Sequence, residues 1–139
     1  MVPVYQLTTT QKLALELACF FETWNGITLY ASRVGMFDPA TLLAEDIIEW
    51  DRRLDFWIPK GLPHGKKAAI ISFCLAPEDW NPPLVEIEKL FCRGDSDGVG
   101  GLIRDSVFLF PGVICAPLAK RRKVEYELFN GGPWPLGNG

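Results

Sequence analysis

The period of the apolar residues changes partway along this chain, and that change limits the fold more than any other feature. Leu13, Leu17, Phe20, Phe21 and Trp24 recur at helical spacing. Further on, Val85 and Ile87 alternate with Glu86 and Glu88, and Val124, Tyr126 and Leu128 alternate with Glu125 and Glu127. Alternation of this kind is the pattern of half-buried strands. Between the two lies a long apolar run, residues 102–110, which reads as a further strand. Helices first and successive antiparallel strands afterwards is the order of an α+β domain, with helices covering one face of a sheet. With 139 residues, no internal repeat and no domain-sized linker, a single domain is expected.

Local signals place the elements. Thr8 with Gln11 three positions on has the form of a capping box, and Asn25-Gly26 is a stop signal, so a first amphipathic helix lies between them. Asp38-Pro39 starts a second helix. Beyond this start the pattern has two readings. Leu43, Ile47, Trp50, Leu54 and Trp57 suit one long helix, whereas a short helix over 39–45 and then a strand through Ile47-Ile48-Glu49-Trp50-Asp51 suits the β-branched pair and the aromatics. A loop, Gly61-Leu62-Pro63-His64-Gly65, precedes a third helix with Ala69, Ile70, Phe73 and Cys74 on one face, ending before Pro77. Residues 77–83 form a rigid proline-bounded turn, and 130–139 a turn-rich tail beyond the core at 11–129.

Composition excludes several classes. The chain is 48% hydrophobic and 12% aromatic, which supports a core and opposes disorder. A net charge of −3 and a pI near 5.1 argue against nucleic acid as a partner. The first residues carry no basic segment ahead of an apolar stretch, and the early apolar run is interrupted by Glu16, so neither a signal nor a membrane span is expected and the cytoplasm is the expected compartment. Cys19, Cys74, Cys92 and Cys115 show no C-x-x-C spacing and read as reduced core thiols. His64 is the one histidine, so no zinc site is expected, and no other metal or cofactor. Arg93-Gly94-Asp95-Ser96-Asp97-Gly98 has arginine at both terminal ligand positions of a calcium loop and reads as a polar turn. Lys120-Arg121-Arg122-Lys123 feeds a glutamate-rich segment and reads as cross-strand pairing.

Several segments resemble the SnoaL-like branch of the nuclear-transport-factor-2-like superfamily. Cys19-Phe20-Phe21-Glu22-Thr23-Trp24-Asn25 resembles the end of its first helix, and Leu42-Leu43-Ala44-Glu45-Asp46-Ile47-Ile48-Glu49-Trp50 its passage from a short helix into the first strand. His64-Gly65-Lys66-Lys67-Ala68-Ala69-Ile70-Ile71-Ser72-Phe73 is similar to its third helix, Val85 to Asp95 to the following strand, and Arg121-Arg122-Lys123-Val124-Glu125-Tyr126 to a later strand. The resemblance implies a cone-shaped cystatin-like roll, with N-terminal helices packed on a curved antiparallel sheet, and decides residues 47–51 for the strand. It departs at residues 27–36, which look inserted, and at Gly131-Gly132-Pro133-Trp134-Pro135, which stands where the closing strand belongs.

The same resemblance supplies a site. On a strand, Glu49 and Asp51 share one face, and the resemblance turns that face into the cone, with Asp51 at the position of the general base of ketosteroid isomerase. Arg104 resembles the arginine of limonene-epoxide hydrolase, although Ser106 stands at the matching aspartate position. The expected function is a cofactor-independent cyclisation, isomerisation or dehydration of a small apolar oxygenated metabolite. Asp51 is the base, Glu49 or His64 a second acid or base, and Arg104 an orienter. Trp24, Tyr30, Phe73, Ser106, Phe108 and Tyr126 are the expected pocket lining. The alternatives are a non-catalytic small-ligand-binding or dimerisation domain, and a small protein-binding inhibitor. Trp50 and Trp57 on an outer sheet face lead to the expectation of a homodimer.

Overall fold

The computed structural model describes residues 6–24, 39–75, 82–106, 108–110, 113–114 and 116–132. Among these residues the chain forms helices α1 (Thr9–Trp24), α2 (Pro39–Leu54), α3 (His64–Cys74), α4 (Leu84–Cys92), α5 (Ser96–Asp105) and α6 (Ala116–Phe129). A two-stranded antiparallel ribbon, β1 (Phe108–Phe110) and β2 (Val113–Ile114), separates α5 from α6, with Phe108 opposite Ile114 and Phe110 opposite Val113. The curved sheet of an α+β roll is therefore replaced by a helical assembly, and the cone that the sheet would enclose goes with it.

The start of α1 is held as the sequence leads one to expect. The Thr8 N–H donates to Gln11 Oε1 at 3.0 Å, and the Gln11 N–H donates to Thr8 Oγ1 at 3.2 Å. This reciprocal box satisfies N–H groups that have no partner inside the helix. Helix α2 runs from Pro39 to Leu54 without a break, so residues 47–51 are helical and the expected strand is absent. Ala44, Ile47, Leu54 and Ile58 are buried, with Asp51 in the same stripe at helical spacing. The tertiary stripe decides what local β-propensity left open.

At the centre of the assembly is α3. Residues 68–74 are all buried, so this helix is enclosed on every side rather than on one face. It packs against α1, α2 and α6, while α6 packs on α5 and α5 on α4. Small residues permit the close approaches. A side chain at Gly65 would reach 3.4 Å from the Leu128 carbonyl of α6, and one at Gly100 would reach 3.2 Å from the Phe129 ring.

The other expected strands are helices too. Over 85–95 the expected strand gives way to α4, whose Leu84, Ile87, Leu90 and Phe91 fall at helical spacing, Ile87 buried and the others packed against the core. The helix stops at Gly94, whose φ of +74° lets its N–H reach Phe91 O at 3.0 Å while Asp95 N–H reaches Leu90 O at 2.8 Å. Asp95 then caps α5, its carboxylate accepting from Gly98 N–H at 2.9 Å. The polar-turn reading of this stretch therefore holds for the residues between α4 and α5, and the rest of it is the first turn of α5. Of residues 102–110, the first four end α5 and the last three form β1.

The alternating stretch at 124–128 is the last part of α6, because its true partner stripe includes charge. Arg121, Arg122, Val124, Glu125, Leu128 and Phe129 are buried on one side of the helix. Glu125 pairs with Arg122 Nη1 at 2.5 Å and Arg121 Nε at 3.2 Å, and accepts from the Ser72 hydroxyl. Arg121 Nη2 also donates to the carbonyls of Ser72 (2.8 Å) and Leu75 (3.2 Å) at the end of α3, and Arg122 Nε donates to Ser106 O (3.1 Å) at the end of α5. Guanidinium groups at helix C-termini meet orphan carbonyls and the negative end of the macrodipole. The expected cross-strand pairing of Arg121 and Arg122 is thus an intrahelical, buried network that also caps two neighbours. Burial pushes the Cys74 thiol up, with Glu125 adding to the effect.

Candidate functional site

Where α3 begins and α6 ends, the structure leaves a cleft of about 430 Å³. Local sequence explains its shape. Helix α6 stops at Asn130-Gly131-Gly132, where Gly131 takes a φ of +89°, its N–H bonds Leu128 O at 3.1 Å, and Gly132 N–H bonds Glu127 O at 2.8 Å. That double closure is the Schellman arrangement and turns the chain sharply away from the helix axis. On the facing side Pro63 leads into α3 without giving its first turn a side-chain cap. Leu13 from α1, Pro63, Leu128 and Phe129 supply apolar wall, and Asn130 with the Gly131-Gly132 backbone forms the rim.

One cation enters this wall. Lys66 Nζ donates to Phe129 O at 3.0 Å and to Ser96 Oγ at 3.3 Å, and lies 4.0 Å from the centre of the Phe129 ring. These contacts fix the ammonium at the cleft and complement the C-terminal end of α6. The mixture of apolar wall, fixed cation and turn backbone suits a small molecule with an apolar body and an oxygen-bearing end.

Three of the four residues expected to carry chemistry lie elsewhere. Asp51 accepts from Gln11 Nε2 at 2.8 Å, and its other oxygen has Lys67 Nζ at 2.6 Å, an ionic contact rather than an aligned hydrogen bond. It joins α1, α2 and α3 and does not line the cleft. Glu49 is exposed and meets Arg52 through both carboxylate oxygens, at 2.6 and 2.7 Å. The Arg52 hydrogen bond holds the Glu49 carboxyl below its ordinary range, against the opposing effect of desolvation. Two positions apart on a helix, Glu49 and Asp51 do not share a face, and each has its own cation.

Arg104 pairs with Asp105 at 2.9 Å on the surface of α5 and lies over the Tyr126 ring at 5.3 Å. The Ser106 hydroxyl donates to Leu102 O at 2.7 Å, closing the end of α5. Phe73 is a core side chain beneath the Arg122 guanidinium, 4.6 Å from its ring centre. Trp24 is the last residue of α1 and Phe108 the first of β1, while Tyr30 lies outside the described residues. Among the described residues of the expected set, His64 alone adjoins the cleft: it stands between Pro63 and Gly65, with Nδ1 2.7 Å from Thr10 Oγ1.

Leu128, Phe129 and the Asn130-Gly131-Gly132 turn escape a reading of the sequence as strands, and Lys66, read as helix, gains its place only from the end of α6. Asn-Gly-Gly after Leu128-Phe129 is a helix stop signal, and it becomes legible once residues 124–128 are read as helix. Among the described residues no group of three or more histidine, cysteine, aspartate or glutamate side chains is placed to hold a metal ion. Among them, too, no helix is long and apolar enough to cross a membrane. The chain matches no family model, no curated protein and no solved structure.

Proposed function

We propose that this domain is a binding module that takes up a small, partly apolar, oxygen-bearing ligand in the cleft between the start of α3 and the end of α6. The observation that carries this reading is the cleft itself. Its volume of about 430 Å³ falls in the range of small-molecule sites, roughly 300–1,000 Å³, and it combines apolar wall with a positioned ammonium. Three of the four residues expected to carry catalysis, all but His64, support binding over turnover. Asp51, Glu49 and Arg104 are each held by a neighbouring opposite charge, and none of them lines the cleft.

The test is a thermal-shift screen with hydroxylated and carboxylated alkyl and aryl compounds, on the wild type and on Asn130→Trp. Asn130 is an exposed rim residue whose N–H bond to Tyr126 O is independent of its side chain. An indole there closes the cleft without entering the core. A ligand at ~100 times its Kd stabilises the fold by about 2.7 kcal/mol, so hits are expected on the wild type and not on Asn130→Trp. Hits that stabilise both proteins equally, or none at all, defeat the reading.

A further inference from the structure

One face of α2 is left to solvent with an ordered charge pattern. Glu45, Glu49, Arg52 and, just past the helix, Phe56 are exposed at helical spacing, and beside them run Asp46, Trp50, Arg53 and Trp57. Phe56 is 83% exposed, unusually so for a phenylalanine. Trp50 and Trp57 pack partly against the core and keep part of their surface in water, and Arg53 stacks on the Trp50 ring at 4.1 Å. The charges are segregated along the axis. Glu45, Asp46 and Glu49 precede Arg52 and Arg53, which occupy the last turn.

A partner carrying one sign of charge would meet attraction at one end of this face and repulsion at the other. A helix with the same pattern, run in the opposite direction, is complementary along its whole length. We infer that a second copy of this chain docks here, α2 against α2 in antiparallel about a two-fold axis close to Trp50. Such a contact is isologous, each surface serving as both donor and recipient. It sets the acidic half of each helix against the basic half of the other. The Glu49–Arg52 pair of one chain then extends into a four-charge network with the same pair of the second copy. Tryptophan, arginine and phenylalanine are the residues that interfaces concentrate at their centres, and here Trp50, Arg53 and Phe56 lie together. The face is separate from the cleft, so dimerisation and ligand binding are independent claims.

Sedimentation equilibrium of the full chain across the micromolar range, at low and at high salt, tests it. The wild type is expected to dimerise, and more weakly as salt rises. Phe56→Asp is expected to raise the dimer Kd about tenfold or more. The decisive arm uses two double variants of exposed side chains, each verified as folded by circular dichroism. Arg52→Glu with Arg53→Glu makes the face acidic throughout, and Glu45→Arg with Glu49→Arg reverses most of its acidic half. Each is expected to be monomeric alone, and an equimolar mixture is expected to associate. A wild type that stays monomeric overturns the inference, as does dimerisation that neither Phe56→Asp nor the charge variants weaken. A monomer that sediments with phosphatidylserine vesicles through Phe56 would give the face to a lipid surface instead, and would equally overturn it.

Discussion

Glu125 and Asp51 are both carboxylates set between helices, yet the protein holds them in different ways. Glu125 is fully buried, and its two arginine partners reach past it to the carbonyls that end α3 and α5. Asp51 keeps about 18% of its side-chain surface, and its partners, Lys67 and Gln11, come from neighbouring helix surfaces. The first arrangement joins charge to backbone and the second joins side chains only. In the buried cluster each group completes the hydrogen bonding of another, so removal of one leaves desolvated partners behind. In the half-open cluster water replaces what is removed. The two clusters should therefore differ in how much they cost to break.

The largest effect is expected at Glu125→Gln. The substitution keeps the shape and removes the charge between Arg121 and Arg122, and breaking a buried pair in this way typically costs about 3–5 kcal/mol. Urea unfolding of the variant and the wild type measures it. A second variant, Glu125→Gln with Arg122→Met, sharpens the comparison. The two changes together are expected to cost clearly less than their separate sum, because each removes the reason the other is costly. Additive losses would mean that Glu125 and Arg122 are not coupled, contrary to the 2.5 Å contact.

The same cluster explains why so much of the second half reads as strand from the sequence. Helix α6 has a good helical stripe at 121, 122, 125, 128 and 129, but three of its five members are charged. Counted by hydropathy, the stripe disappears, and the leftover alternation of Val124, Tyr126 and Leu128 imitates a strand. In α4 the residues Leu84, Ile87 and Leu90 keep helical spacing beside the competing alternation of 85–88, and only packing on α5 decides between them. Helix α5 contains three glycines, each poor in a helix by ~1 kcal/mol relative to alanine. The close approach of Phe129 to Gly100 shows why a glycine is retained there, and that is knowledge of a partner helix. By contrast, the Thr8–Gln11 box, the start of α2 at Pro39 and the extent of α3 are legible, because local hydrogen bonding and apolar content set them. The site suffers most. Its expected geometry depends on a strand at 47–51, and a helix there turns Glu49 and Asp51 to different partners.

A smaller, pH-dependent effect belongs to the same buried region. The Cys74 thiol is pushed above its ordinary value of 9.0 in the folded state, first by burial and then by Glu125. Above about pH 9 the unfolded chain therefore releases this proton while the folded chain keeps it, and stability falls as pH rises, by about 1.4 kcal/mol per unit. Lys67 acts later. Burial alone would lower its pKa, but Asp51 and Asp55 together raise it above 10.5, so its contribution is complete below 10.5 and is lost as pH rises through the raised value. Urea unfolding between pH 9 and 10.5 is expected to show the thiol's slope in the wild type and to lose it in Cys74→Ala. A slope unchanged in the variant would assign it to other groups. At neutral pH, Asp51→Asn is expected to cost only about 1–2 kcal/mol, the scale of one partly exposed charge-assisted contact. A loss matching that of Glu125→Gln would erase the contrast between the clusters.

The smallest effect is expected at Glu49, where the electrostatics are visible and the stability is not. Both partners of the Glu49–Arg52 pair are well exposed, at 51% and 72% of their side-chain surface. Such pairs gain modest attraction, lose side-chain freedom and are screened by salt. Glu49→Gln should therefore leave the unfolding midpoint where it was at physiological ionic strength. The pair is still real as a local field. In a carboxyl-detected NMR titration the Glu49 resonance is expected to titrate below 4.5, because the Arg52 hydrogen bond favours the ionised form. Arg52→Gln should return it towards 4.5. Any stability the pair does provide is present above 4.5 and disappears as pH falls through the lowered value. Protein concentration sharpens the experiment. If a second copy brings its own Arg52 to Glu49, the depression deepens as the dimer forms and relaxes on dilution or in Phe56→Asp. A Glu49 titration independent of concentration, in a sample shown to dimerise, would place the dimer contact away from α2.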